Sequence, residues 1–303
     1  MSGEAEARKG VAFGLGAYFW WGFLPVYFKL LGGVLPTEVV AQRILWSVAL
    51  LAVLIIGGRR WPHLRAAIAN PKALKILSAS ALLIGVNWLT YIWAIGAHHV
   101  LETSLGYFLN PLVNVLMGVL LLKERLTRAQ TIAVVLAAAG VSVLAIGAAS
   151  GLWISLVLAL SFATYGLLRK IAPVDSLEGL TIETVLLAPI AALYLWWLGP
   201  AMAFGDAPGV SALLALSGIM TAVPLLFFAA AARRLRYSTM GLLQYIAPTI
   251  QFLLAVLVYG EHLTAAHIIC FGSIWTGLAI YAADGLRRAP GRRRADPVTC
   301  PQS

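Results

Sequence analysis

The sequence predicts an all-α integral membrane protein of ten transmembrane helices, built as an inverted repeat of five plus five, with both termini cytoplasmic. Three observations predict it: a composition that only hydrocarbon can surround, ten apolar runs of crossing length, and basic residues confined to alternate loops. Of 303 residues, 61% are hydrophobic and 11% charged, where a soluble chain carries about 25% charged residues. A soluble domain of this size must still cover its surface with polar groups, so most of this chain faces lipid.

A bilayer core of about 30 Å takes roughly 20 apolar residues per helical crossing. Ten runs meet that length: Gly10–Leu31, Thr37–Ile56, Leu74–Ala97, Thr103–Leu122, Ala129–Ala149, Leu152–Leu168, Leu180–Leu198, Ser211–Ala232, Thr239–Tyr259 and Ala265–Ala283. None alternates polar with apolar as a strand would, and in lipid only a helix bonds all its own backbone groups. The first run is long enough to span and reads as the first helix rather than a cleavable signal. The longest hydrophilic stretches, 57–75 and 287–303, are too short for a soluble domain.

The net charge of +10 reads as topology rather than nucleic-acid binding. Counting loops alternately from the N-terminus, one side receives Arg8 and Lys9, then Arg59, Arg60, Arg65, Lys72 and Lys75. It also receives Lys123, Arg125 and Arg128, then Arg169 and Lys170, then Arg233, Arg234 and Arg236, and finally five arginines of the tail. That is 20 of the 22 basic residues; Lys29 and Arg43 lie in spans, and the opposite loops carry none. By the positive-inside rule both termini are cytoplasmic. A missed or extra helix would scramble the alternation. Cys270 sits in an apolar run and Cys300 in the tail, so no disulfide framework is implied.

Residues 104–127 align with 241–264 at a constant offset of 137, with eight of 24 positions identical, among them Pro111/Pro248, Glu124/Glu261, Leu126/Leu263 and Thr127/Thr264. The offset spans five helices, an odd number, so the halves enter the membrane in opposite senses. This predicts an inverted-topology repeat, an architecture of secondary transporters in which two halves rock about a central site. The units are 10–149 and 152–284, with a basic cytoplasmic tail at 285–303.

Pro111 and Pro248 fall near the middle of the fourth and ninth spans. A mid-helix proline removes a backbone bond and frees a carbonyl, and matched interruptions in two halves point to a transport site. Tyr107, Asn110 and Asn114 share a face around Pro111, and Gln244 and Gln251 fall similarly around Pro248. The functional reading is two polar faces lining one cavity; the alternative, amides bonding helix to helix, stays open on sequence alone. Gln42 and Arg43, about two turns into the second span, and Trp20 and Asn87, near mid-span, join the candidate substrate-binding set. Ionisable groups inside spans are costly and so suspect for function. Glu102 and Glu183 are the candidates for proton coupling, weighed against an Arg43–Glu102 ion pair that only ties helix ends.

No G-x-x-x-x-G-K-[ST] loop, H-E-x-x-H or G-x-S-x-G pattern occurs, which argues against an internal ATP motor, a metalloprotease or an esterase. His98, His99 and Glu102 lack a second set of ligands, so no metal is expected, and no cofactor is implied.

Several stretches resemble a known family. Ala17–Tyr18–Phe19–Trp20–Trp21–Gly22 followed by Pro25–Val26–Tyr27–Phe28–Lys29 is similar to the first helix of the RarD proteins. So are Gln42–Arg43–Ile44–Leu45–Trp46–Ser47, the stretch from Ile84 to Leu122, Ser161 to Lys170, and Gln244–Tyr245–Ile246–Ala247–Pro248–Thr249. The RarD proteins belong to the EamA group of the drug/metabolite transporter superfamily, and the resemblance runs from Lys9 to Asp284. It implies ten helices, an inverted duplication, the bacterial cytoplasmic membrane and export of small molecules such as amino-acid-like metabolites or chloramphenicol. The expected partners are a small-molecule substrate and the lipid bilayer, with a homodimer left open and no nucleic acid. A membrane-embedded lipid-modifying enzyme, or a receptor or assembly factor without flux, is the rival reading.

Overall fold

A computed structural model describes residues 2–147, 151–260 and 264–288. The repeat positions Glu261 and Leu263, with Cys300, the end of the expected fifth span and most of the basic tail, lie outside the described residues. Within them the chain runs as α1 (Ser2–Leu30), α2 (Pro36–Gly57), α3 (Trp61–Ala69), α4 (Pro71–Gly96), α5 (Val100–Leu120) and α6 (Arg128–Gly147). It continues as α7 (Leu152–Ile171), α8 (Ser176–Leu198), α9 (Pro208–Arg234), α10 (Tyr237–Gln244), α11 (Ile246–Leu257) and α12 (Ala265–Arg288). Ten spans are long and apolar enough to cross a bilayer, α10 and α11 together making one of them.

The helix ends follow the sequence. Pro36, Pro71 and Pro208 open α2, α4 and α9, a first-turn position where the missing N–H is no loss. The Asn70 side chain caps α4, accepting from the N–H groups of Lys72 and Ala73 at 3.1 Å. Two departures from expectation concern prolines and a loop. The hydrophilic stretch after α2 folds in part into α3, which lays Leu64 and Ala67 against Ile55, Leu77 and Ile182 and leaves Trp61 exposed. And the two matched prolines behave differently. Helix α5 runs through Pro111 without a break. The ninth span divides at Tyr245, one residue after Gln244, whose carbonyl is the one the Pro248 ring crowds four residues back.

Packing crosses between halves. Helix α1 lies against α9 and α11, α7 against α4 and α5, α2 against α8 and α9, and α8 against α4. Helices α5 and α10 pack together, as do α6 and α12. Exchanging the first five spans for the last five turns each of these pairings into another of them or into itself. The α6–α12 seam shows why in atoms. A Cβ on Gly140 would stand 2.9 Å from the Cys270 carbonyl oxygen, and a Cβ on Gly277 would stand 2.9 Å from that of Ala133. Gly140 and Gly277, like Ala133 and Cys270, are 137 positions apart. The later residue of α6 meets the earlier residue of α12, so the two helices run antiparallel.

Large apolar side chains cover the outside: Ile56, Ile146, Trp196, Trp197 and Leu257 are all more than 70% exposed. A water-facing surface of that kind would aggregate; against lipid tails it costs nothing. The bundle has a basic end, carrying the loops with Arg59, Lys123 and Arg236, and a neutral end, carrying residues 31–35, 97–99 and 199–207.

Candidate functional site

A central cavity of about 200 Å³ lies between the halves, lined from α1, α2, α4 and α5 on one side and from α7, α9, α10 and α11 on the other. Of the nine residues singled out for substrate contact, six line it: Arg43, Asn87, Tyr107, Asn110, Gln244 and Gln251. Pro248 lines it as well, whereas Pro111 does not. The other three point elsewhere. Trp20 is replaced by its neighbour Trp21, because one residue along a helix turns the side chain by about 100°. Gln42 is buried beside Arg43 but outside the lining. Asn114 donates to Gln244 Oε1 at 2.6 Å, so it holds a lining residue rather than forming the wall.

The polar groups of the wall divide into committed and uncommitted. Asn87 Nδ2 donates to Leu158 O and Ser161 Oγ at 2.9 and 3.0 Å, and Gln251 Nε2 donates to Trp21 O at 3.1 Å. These amides are spent on tying α4 to α7 and α11 to α1. By contrast Arg43 Nε, Asn110 Oδ1 and Tyr18 Oη are buried with no hydrogen-bond partner. All three belong to cavity-lining residues, and such orphaned groups are few in native proteins. Arg43 stacks its guanidinium over the Trp88 ring at 4.0 Å. It forms no ion pair with Glu102, which instead pairs with His99 at 3.4 Å. The alternative of an Arg43–Glu102 pair is therefore not found among the described residues, since Arg43 lines the cavity while Glu102 sits in the first turn of α5 beside His99.

Aromatic rings supply most of the remaining wall: Tyr18, Trp21, Trp88, Tyr91 and Phe162. The contributions of Phe162, Met220, Thr221 and Leu225 from α7 and α9 carry no polar signature in the sequence, where an apolar cavity face and a core face read alike. A second cavity of about 260 Å³ shares Tyr91, Tyr107, Pro248 and Gln251 with the first and continues past Ile95, Thr103, Ser104 and His267 toward the neutral end.

Toward the basic end the interior is filled by side chains. Tyr18, Tyr165, Phe228 and Tyr237 are fully buried together, with Tyr165 stacked on Phe228 at 6.0 Å between ring centroids. Gly166 makes room for this layer: a Cβ there would meet Tyr237 Oη at 2.5 Å. Below it Glu183 accepts from Ser80 Oγ and faces Arg169 Nη1 at 3.5 Å. Glu183 and Glu102 both lie outside the cavity lining. Further out, Glu124 accepts from the N–H groups of Tyr237 and Ser238 at 2.7 and 2.9 Å and from Ser238 Oγ at 2.7 Å. It thereby caps α10, whose first N–H groups have no partner of their own. Burial works to raise the Glu124 pKa, but the Ser238 and Tyr237 donors outweigh it and hold the carboxyl below its ordinary range. Arg60 joins Glu178 and Asp175, both at 2.6 Å, and Arg233 meets Asp175 at 2.8 Å. The two guanidinium groups hold the Asp175 carboxyl below its ordinary range. The sequence singles out Glu183 from this layer, as a proton-coupling candidate, and misses the rest, because the partners lie on or beside different helices, from 14 residues apart for Arg169 and Glu183 to 118 for Arg60 and Glu178.

The comparisons with known proteins agree with this arrangement. The model of the EamA-like transporter family matches twice, at residues 8–146 and 149–283. An uncharacterized transporter of Vibrio cholerae is 45% identical over 96% of this chain and 98% of its own length. Protein RarD of Escherichia coli is 46% identical over 93% of this chain and 96% of its own. A solved crystal structure, 20% identical, superposes with a TM-score of 0.70 over 93% of this chain and 99% of that one, which shows the fold alone. The chain is a multi-pass membrane protein and belongs to the EamA-like transporter family.

Proposed function

We propose that this protein is a secondary transporter that exports small organic solutes across the bacterial cytoplasmic membrane by alternating access. The single observation that carries the reading is the central cavity. It is walled by both halves, shares four lining residues with a second cavity toward the neutral end, and is separated from the basic end by a ring layer and a polar layer. By the positive-inside rule the basic end and both termini are cytoplasmic, so this is an outward-facing conformation. The antiparallel α6–α12 seam, with its glycines 137 apart, supports an inverted repeat, and such repeats exchange their two packings to move the opening from one face to the other. The inward-facing state then requires the Glu124 cap and the Arg60–Asp175–Arg233 cluster to open.

The lining suits amino-acid-like metabolites and amphipathic drugs such as chloramphenicol: aromatic walls for an apolar body and a few uncommitted polar atoms for orientation. Coupling to the proton gradient is assigned to Glu183. It is buried one ring layer below the cavity, bonded to Ser80 and facing Arg169, so a proton there would loosen the seal on the cytoplasmic side. A lipid-modifying enzyme would need a convergent acid and base in the cavity; apart from tyrosines, Arg43 is the single ionisable residue of the central lining.

Solute flux in proteoliposomes tests the reading. The panel holds chloramphenicol, aromatic amino acids and small hydrophilic amino acids, with and without an imposed pH gradient. Flux that follows the gradient, and loses that dependence in Glu183→Gln, is expected. Flux indifferent to the gradient contradicts the coupling, and no flux of any solute by folded protein contradicts the transporter reading.

A further inference from the structure

We infer that the cavity selects organic anions, with Arg43 receiving the negative group and the aromatic wall receiving an apolar body. The inference rests on the cavity being the transport site. Its first support is charge. Arg43 lies about a third of the way along α2, lines the central cavity, forms no ion pair among the described residues and has a buried Nε with no hydrogen-bond partner. The groups close enough to act on it electrostatically are phenols, those of Tyr107, Tyr91 and Tyr27. No aspartate or glutamate lines either the central cavity or its extension to the neutral end. The nearby carboxylates are accounted for: Glu38 accepts from the backbone of Ala203 and Phe204 at 3.0 Å, Glu102 meets His99, and Glu183 meets Ser80 and Arg169.

An arginine inside a membrane span without a counter-charge is costly. Stacking on Trp88 recovers part of that cost but leaves the forked N–H edge free. A carboxylate entering the cavity satisfies that fork through two parallel charge-assisted bonds. The Tyr91 and Tyr107 hydroxyls, on rings 5.9 Å apart, are placed to donate to the same group. An ammonium has no such reception, because the wall offers it rings and amide oxygens but no carboxylate. The geometry therefore ranks an aromatic monocarboxylate above its neutral amide, above the zwitterionic amino acid, and above the amine.

The test uses four solutes on one skeleton: 3-phenylpropanoate, 3-phenylpropanamide, phenylalanine and phenethylamine. Binding to detergent-purified full-length protein is read from tryptophan fluorescence, and exchange is read from counterflow in proteoliposomes. The anion is expected to bind roughly tenfold to a hundredfold more tightly than the amide, the range of a charged over a neutral hydrogen bond. Arg43→Gln is expected to remove that preference, and Arg43→Lys to keep part of it. Because the wild-type ranking needs no variant, misfolding of either one leaves the test intact. Equal affinity for anion and amide, tighter binding of the amine or zwitterion, or no binding by any of the four would overturn the inference. Tight anion binding without counterflow of any solute would instead count against the transport reading and leave the selectivity standing.

Discussion

At the residue scale the structure separates groups that hold the protein together from groups left for a ligand, and the two make opposite predictions. Asn114 Nδ2 is committed to Gln244 Oε1 across the halves, although Asn114 Oδ1 is buried without a partner. Asn114→Ala leaves a buried acceptor unpaired and is expected to cost about 1–3 kcal/mol, read as a lowered thermal midpoint. Asn110 has a buried oxygen with no partner, so Asn110→Ala is expected to leave the midpoint nearly unchanged and to lower solute flux several-fold. If Asn110→Ala unfolds the protein instead, its role is structural. The sequence puts Tyr107, Asn110 and Asn114 of α5 on one face but does not say which of them is spent on Gln244. That choice depends on a partner 130 residues away. Trp20 and Trp21 illustrate the same limit, since a run of aromatics names a helix face only to within one residue.

The polar seal also fixes a pH dependence at this scale. Asp175 has its pKa lowered by Arg60 and Arg233. A carboxylate with a lowered folded-state pKa contributes stability above the ordinary carboxylate range and loses it only as pH falls through the lowered value. The Asp175 cluster itself is therefore expected to hold unchanged between about pH 5 and pH 8, which leaves opening of the seal in that window to Glu183. Thiol labelling of a cysteine placed at Ser176 checks this: in the Glu183→Gln variant its rate, corrected for thiol ionisation, should be flat across that window. A rise near pH 6 in that variant would show that a group other than Glu183 and Asp175 governs the seal.

At the element scale, one proline breaks its helix and its counterpart does not. The ninth span divides at Tyr245, and Gly241 allows α10 to approach the Pro111 carbonyl so closely that a Cβ would stand 2.6 Å from it. Pro248→Ala restores a hydrogen-bonded turn and is expected to stabilise the fold by about 1–3 kcal/mol. It should slow transport, because α10 and α11 could no longer bend apart. Unchanged flux with raised stability would remove the break from the mechanism. The α6–α12 seam gives a symmetric prediction: Gly140→Val and Gly277→Val each force the same backbone contact apart and should lower the thermal midpoint by similar amounts. The sequence revealed ten spans because apolar length is a local property. It missed α3, whose nine residues are too few to announce themselves. It also treated Pro111 and Pro248 alike, because what Gly241 and Tyr245 do around them is tertiary.

At the scale of the whole molecule, composition and the length of the apolar runs sufficed for the class and the helix count. The repeat offset of 137 reappears as physical contact between Gly140 and Cys270 and between Ala133 and Gly277. The position of the cavity was half legible: its polar wall came from residues with a signature, while its apolar wall from α7 and α9 looked like any core. The direction of opening proposed for the cavity is not legible in the sequence, since nothing local distinguishes one packing of two halves from the other.

The central claim is that one cavity opens to each face in turn, and cysteine accessibility tests it most directly. Thr221 lines the cavity from α9. Thr221→Cys is made in a background with Cys270→Ala and Cys300→Ala and treated with an impermeant thiol reagent in right-side-out and in inside-out vesicles while an exchanging solute is present. The account predicts modification from both faces, with the solute protecting the cysteine in each orientation. Modification from the neutral end alone, in protein that still exchanges solute, would contradict it.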